Sequence, residues 1–170
     1  MKRLETLRIL IALLFFVSML GVVFGLPMII MVALMPDRVP FEIGGNLVSH
    51  AHLVESVLLF IVLYVGYCSF TYGVYLLKKL LANFSKRVIF DTSNITLLDQ
   101  IGKSFIVTAM LWAVPPFFYK IYAESRLEIG INFDGFGSPM FIASLGLFFM
   151  VLSEVFLMAK GMKEDADLTI

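Results

Sequence analysis

A chain of 170 residues that is 60% hydrophobic and only 15% charged, with a mean hydropathy of +0.95, is too apolar for an ordinary soluble domain. Its formal net charge is +0, which excludes a protein that attracts its partners through overall charge. Cys68 is the only cysteine and cannot form an internal disulfide, so a buried, unreactive thiol is expected rather than redox or metal chemistry.

Four apolar runs without Lys, Arg, Asp or Glu dominate the chain, at 9–36, 56–77, 104–119 and 135–153. A bilayer core of about 30 Å needs roughly 20 apolar residues per helix. The runs lack the period-2 alternation of barrel strands, which leaves helices as the spanning structure. The chain is therefore predicted to be all-α, an integral membrane four-helix bundle forming one domain over 1–170, with spans at about 9–35, 53–77, 101–119 and 139–158.

The first predicted helix contains Pro27, which removes a backbone hydrogen bond and favours a kink. Its apolar run is much longer than the hydrophobic region of a signal peptide, so it is interpreted as an anchor that stays in the protein. The joint that follows carries Pro36, Pro40 and the pair Gly44-Gly45, and is predicted to be a turn.

The second predicted helix starts near Ser49 and brings His50, His52 and Glu55 together at its beginning. Imidazole and carboxylate groups suit zinc, and His52 and Glu55 are spaced to face the same way. Residues two apart on a helix point in different directions, so His50 and His52 join one site only if the backbone is irregular. The alternatives are a metal or pH-sensing site and interfacial histidines that reach toward water.

The third predicted helix has several possible starts, namely Ser93, Asn94 and the capping-box spacing from Thr96 to Asp99, all well before its apolar run. Asp99 and Lys103 lie one turn apart and are expected to pair. Pro115-Pro116 are expected to bend or end the helix.

The fourth predicted helix starts at Pro139 and carries Glu154, a carboxylate inside an apolar sequence. An intramembrane carboxylate is expected to face the bundle and have a partner, for which Lys103 is the candidate. Glu154 is then a proton or ion site, a structural pair, or an interfacial side chain that reaches toward water.

The basic residues are distributed unevenly between the two sides of the predicted bundle. Ten fall on the side of the termini and the 78–103 joint, against three on the other side. The positive-inside rule then places both termini in the cytoplasm. The sequence contains no nucleophile elbow, no glycine-rich phosphate loop and no metalloprotease helix motif, so we expect no enzyme and no cofactor.

Two segments resemble the bacterial membrane family known as domain of unknown function 2975. The tail runs Met162-Lys163-Glu164-Asp165-Ala166-Asp167-Leu168-Thr169-Ile170 and is similar to the family's terminal signature. The joint follows its F-x-x-x-N-x-x-x-L-x-x-I-G pattern with Phe90, Asn94, Leu98, Ile101 and Gly102. Ala166 stands where the family usually has Asn, and Ala159 stands where Gly is common.

The resemblance implies a bacterial cytoplasmic membrane protein, often encoded beside a small helix-turn-helix regulator. We therefore expect a non-enzymatic membrane partner of such a regulator, with no direct contact to nucleic acid; the alternative is a small transporter or channel subunit. The docking candidates are Phe90, Asn94, Met162, Glu164, Asp165, Asp167, Leu168, Thr169 and Ile170. The tail suits capture in a groove or strand addition, and the alternative for it is a frayed, solvated terminus.

Overall fold

The computed structural model of the chain describes residues 2–34, 42–43, 46–47, 53–85, 91–124 and 138–168. It contains four helices, α1 (Lys2–Leu34), α2 (Leu53–Ser85), α3 (Thr92–Glu124) and α4 (Pro139–Leu168). Two short strands, β1 (Glu42–Ile43) and β2 (Asn46–Leu47), pair antiparallel. All four helices are long and apolar enough to cross a membrane, which confirms the predicted all-α fold class.

Each helix packs antiparallel against the next one in the chain. Phe15 of α1 contacts Tyr75 of α2, with ring centroids 5.9 Å apart. The Ser69 hydroxyl of α2 lies 3.4 Å from that of Ser104 on α3. Within the described residues, the extensive helix interfaces are α1 with α2, α2 with α3 and α3 with α4. Among the described helices, α1 has no extensive interface with either α3 or α4, so the seam between α1 and α4 is open there.

Close approach of α3 and α4 depends on two glycines. A Cβ atom on Gly146 would lie 2.9 Å from the carbonyl oxygen of Gly102, and a Cβ on Gly102 would lie 2.7 Å from the carbonyl oxygen of Gly146. Real side chains do not tolerate such distances to a backbone atom, so both positions need a residue without a Cβ. Gly66 and Gly73 of α2 likewise allow close approach, by Trp112 and Phe105 respectively.

The main buried cluster lies near the end of the molecule where α1 begins, α2 ends, α3 begins and α4 ends, which we call the termini-bearing end. It joins α2, α3 and α4 through Leu76, Leu80, Leu97, Leu98, Ile101, Phe105, Ala109 and Ile142. A smaller cluster of Ile11, Val74 and Leu81 attaches α1 to α2. The residues that hold the helices together are therefore concentrated toward this end.

The helices extend beyond the predicted membrane spans, and α3 begins before its predicted starts. α2 continues to Ser85 and α4 to Leu168, well past the predicted span ends at 77 and 158. α3 begins at Thr92, where the carbonyl of Asp91 accepts hydrogen bonds from the amides of Asn94 and Ile95, so Asp91 occupies the N-cap position and the three predicted starts lie inside the helix. Pro115-Pro116 do not end α3, which continues to Glu124.

Candidate functional site

A hydrogen bond between two asparagine side chains joins the end of α2 to the start of α3. The side-chain amide of Asn83 donates a 2.8 Å hydrogen bond to the side-chain oxygen of Asn94, and Asn94 is fully buried. Buried amides are stable only when they are hydrogen-bonded, and Asn94 meets this condition inside the molecule. The expectation that Asn94 belongs to a docking surface is therefore wrong, because its side chain is covered by the chain itself.

The other described positions of the same motif also serve packing. Leu98 and Ile101 are fully buried in the main cluster, and Gly102 is the crossing point with α4. Phe90, the first residue of the motif, lies outside the described residues. The motif therefore specifies how α3 packs against α2 and α4, rather than an exposed site.

α4 extends past the start of α3 at the termini-bearing end. The Ser153 hydroxyl donates a 2.8 Å hydrogen bond to the carbonyl of Ile95, which lies three residues after the start of α3. Because the two helices are antiparallel, residue 156 of α4 lies level with Thr92, the first residue of α3. The helix continues to Leu168, about 18 Å farther at 1.5 Å per residue. We call this segment, residues 157–168, the projecting end of α4.

The projecting end displays both apolar and charged side chains. Met158 and Met162 are 61% and 69% exposed and lie four residues apart, on one side of the helix. Lys160 donates a 2.7 Å hydrogen bond to the Thr92 hydroxyl and lies 3.6 Å from the Glu164 carboxylate. The lysine therefore braces the base of the segment against α3.

The described part of the tail forms a regular helix. Met162, Glu164 and Asp165 are exposed on it, and the side chains of Asp167 and Leu168 lie outside the described ones, as do Thr169 and Ile170 altogether. A helix up to Leu168 does not fit either strand addition or a frayed terminus for those residues. It is compatible with a helix that lies in a groove of a partner.

Glu154 is not packed inward, so that expectation is wrong. It is exposed on α4, and the described part of the chain shows no ion pair for it. Lys103 instead pairs with Asp99 at 2.6 Å, as the one-turn spacing predicted. The register explains the separation: Gly102 meets Gly146 whereas Ile95 meets Ser153, so Lys103 and Glu154 lie about 13 Å apart along the helices.

The candidate metal residues remain a prediction from sequence. His50 and His52 lie outside the described residues, and Glu55 is half-buried in the first turn of α2. Across the described ranges, no group of three His, Cys, Asp or Glu side chains could hold a metal ion. Cys68 is half-buried rather than fully buried.

A large apolar cavity lies on the open side of α1. It has a volume of about 680 Å³, with five lining residues from α1 and four from α2, and it is bounded by Trp112 of α3 and Pro139 of α4. Two lining residues are Gly21 and Gly25, which are covered by the rings of Tyr67 and Tyr64 respectively. The Gly-x-x-x-Gly spacing on α1 is the sequence signal that could have predicted this close approach of α2.

Two of the polar side chains in the cavity wall are hydrogen-bonded to backbone carbonyls. The Tyr64 hydroxyl donates a 2.8 Å hydrogen bond to the carbonyl of Val22, and the Trp112 indole N–H donates a 3.2 Å hydrogen bond to the carbonyl of Leu63. These contacts tie α1 to α2 and α2 to α3. The rest of the cavity wall is mostly apolar, with the Tyr67 side chain as a further polar lining residue.

The sequence was compared with protein families, curated proteins and solved structures. The profile of the family described as "Protein of unknown function (DUF2975)" matches residues 40–170. The chain belongs to the DUF2975 family. The match covers α2, α3 and α4, including the buried asparagine and the glycine crossing. The comparisons with curated proteins and with solved structures gave no match.

Proposed function

We propose that this DUF2975 protein is a non-enzymatic multi-pass protein of the bacterial cytoplasmic membrane that docks a soluble partner on the projecting end of α4. The observation that carries the proposal is the continuation of α4 to Leu168 as a helix. A segment that extends about 18 Å past the start of α3 is available to a partner on most of its surface.

The charges support a cytoplasmic position for this end. Ten of the thirteen basic residues belong to the side that carries both termini. Tyr72 and Tyr75 are exposed on α2 directly before Lys78 and Lys79, an arrangement typical of a membrane interface. Glu154 lies level with Ile95, near this interface rather than near the bilayer centre, which favours its interpretation as an interfacial side chain.

The chemistry of the projecting end indicates what it would bind. Met158 and Met162 form an apolar pair that suits a hydrophobic groove, and methionine adapts readily to irregular surfaces. Glu164 and Asp165 would steer a basic partner and make binding weaker at high salt. A small helix-turn-helix regulator, as the family resemblance implies, has the basic surface that such a segment would recognise.

A transporter or channel subunit is the alternative. The hydroxyl groups of the described residues give this alternative little support. Ser104 donates to the carbonyl of Ser69, Thr108 to that of Ser104, and Ser153 to that of Ile95. These side chains connect helices or satisfy their own helix, and they are therefore employed in packing. A polar path would need other groups.

The test is a pull-down from the cytosol of the source bacterium, with detergent-solubilised full-length protein as bait. The intact chain is expected to retain a helix-turn-helix protein at low salt, and the chain without residues 162–170 is expected to lose it. Met162→Asp should also release the partner, whereas the matched Met162→Leu control should retain it. Retention of the same regulator by the truncated chain, or no regulator on the intact one, would contradict the proposal.

A further inference from the structure

Cationic and aromatic side chains meet on one edge of the contact between α1 and α2. The Lys78 ammonium of α2 lies over the Phe15 ring of α1, 4.8 Å from the ring centroid. The same ring packs against Tyr75, with centroids 5.9 Å apart. An aromatic face attracts a cation electrostatically, so Phe15 restrains an ammonium that would otherwise move on a flexible side chain. The lysine is therefore positioned before any ligand binds.

Arg8 lies on the same edge of this contact. It is seven residues, or about two turns, before Phe15, so both side chains leave α1 on the same face. The contact of Phe15 with Tyr75 sets the register of the antiparallel helices and places Arg8 roughly level with Leu81, three residues after Lys78. Arg8 and Lys78 are therefore offset by only about 4.5 Å along the helix axes. We call Arg8, Phe15, Tyr75 and Lys78 the cationic edge.

The charges of the cationic edge are not neutralised by the described part of the chain. Arg8 and Lys78 are both exposed, and neither forms an ion pair with another described residue. Glu5 lies one turn before Arg8 and does not pair with it either. Two cations this close repel each other, so an anion between them would be attracted by both. Phosphate oxygens accept charge-assisted hydrogen bonds from lysine and arginine, which makes phosphate a suitable anion.

The position of the cationic edge relative to the membrane indicates the source of the phosphate. Exposed Tyr75 precedes Lys78 at the proposed membrane interface, where the headgroup phosphates of the lipids lie. Toward the bilayer centre, Met19 follows Phe15 by one turn and is exposed, so an apolar surface continues beside the cations. A soluble phosphate would use the two cations alone, whereas a phospholipid would also place its acyl chain on the apolar surface.

We infer that the cationic edge is a binding site for the headgroup phosphate of an anionic phospholipid. The two positive charges select the lipid class, because a zwitterionic headgroup would bring a further cation next to Arg8 and Lys78. The inference rests on the membrane placement proposed above. It does not depend on docking by the projecting end of α4.

Thermal unfolding in mixed micelles tests this site. The full-length protein in neutral detergent receives either phosphatidylglycerol or phosphatidylcholine, and the measured quantity is the difference between the two melting temperatures of each variant. Taking this difference removes the effect of a substitution on stability itself. The wild type is expected to melt at a higher temperature with phosphatidylglycerol, because a ligand of the folded state stabilises it. Lys78→Gln and Arg8→Gln should each lose at least half of this shift.

Lys79→Gln is the matched control. Lys79 is exposed, carries the same charge and follows Lys78 directly, but it lies about 100° farther round α2 and so does not face Phe15. This variant should keep the wild-type shift. Equal losses in all three variants would show a general attraction between charges and overturn the site. A wild type that melts at the same temperature with both lipids would also overturn it.

A second comparison separates a lipid from a soluble anion. Sodium phosphate is added to the phosphatidylcholine micelles and compared with sodium chloride at equal ionic strength. No stabilisation is expected, and a shift as large as the one with phosphatidylglycerol would overturn the lipid site.

Native mass spectrometry of the wild type decides if a variant fails to fold. From micelles with equal amounts of both lipids, preferential retention of phosphatidylglycerol supports the site, and equal retention overturns it. A chain that folds without detergent or lipid would contradict the membrane placement and the site together. Loss of the regulator in the pull-down, with the phosphatidylglycerol shift intact, would contradict docking alone and support the site.

Discussion

The side-chain amide of Asn83 donates a 2.8 Å hydrogen bond to the side-chain oxygen of Asn94, and this bond joins the end of α2 to the first turn of α3. Asn94 is fully buried, so water does not compete for its oxygen. This bond therefore helps to fix the register of the two helices, together with the hydrogen bonds between Ser69 and Ser104 and from Trp112 to Leu63.

Replacing Asn94 should therefore destabilise the protein. Asn94→Leu removes the acceptor and leaves the amide of Asn83 without it, which is expected to cost about 1–3 kcal/mol. Thermal unfolding in detergent, followed by circular dichroism, measures the change. Thr96→Ala is the matched control, because the Thr96 hydroxyl is exposed and bonds within its own helix to the carbonyl of Thr92. If Asn94→Leu has the same melting temperature as the Thr96→Ala control, the hydrogen bond between the two asparagines does not stabilise the contact of α2 with α3.

The glycine crossing gives a second prediction. Gly146→Ala places a methyl group 2.9 Å from the carbonyl oxygen of Gly102, so α3 and α4 must separate and the melting temperature should fall. Gly161→Ala is a control on the same helix, because a Cβ there meets nothing within 4 Å. Alanine favours a helix over glycine by up to about 1 kcal/mol, so this control should be neutral or stabilising. The two alanine variants should change the melting temperature in opposite directions, and parallel shifts would contradict the crossing.

The sequence predicted the helices well because membrane spans are defined by composition. The charge-free runs located all four, and the Ser138-Pro139 start of α4 was correct because proline fits the first turn of a helix. α2 and α4 continue as helices past the predicted spans, which end at 77 and 158. Apolar periodicity inside a helix says little about where a polar extension such as 159–168 stops.

The roles of individual residues were harder to predict. Asn94 looks like a surface residue in the sequence, and only its pairing with Asn83, eleven positions away, makes it a core residue. The separation of Lys103 from Glu154 depends on the register of α3 against α4, which the glycine crossing sets and hydropathy does not reveal. The cavity depends on the absence, among the described helices, of an extensive interface of α1 with α3 or α4, and no local sequence pattern indicates such an absence.

The corrected position of Glu154 changes what its substitution should do. Lys103 and Asp99 form an exposed pair, and such pairs contribute at most about 1 kcal/mol. Glu154→Gln should melt like the wild type, and a double-mutant cycle should show coupling of Lys103 with Asp99 but none with Glu154. A measurable coupling between Lys103 and Glu154 would mean that the register of α3 and α4 differs from the one observed.

The orientation in the membrane is tested by reporter fusions at four positions. With both termini in the cytoplasm, fusions after Asn46, Phe90, Asn132 and Ile170 should report outside, inside, outside and inside. The physical reason is the ten-to-three distribution of basic residues, because loops rich in Lys and Arg are retained on the cytoplasmic side. Neutralising Lys78, Lys79, Lys86 and Arg87 together should weaken this preference and produce mixed signals at Phe90. Neutralising four Glu or Asp residues of the outer joints instead should have little effect, since acidic residues contribute weakly to orientation. A Phe90 fusion that is exported in the unmodified protein would place the projecting end of α4 outside the cell, and a cytosolic regulator could then not bind it.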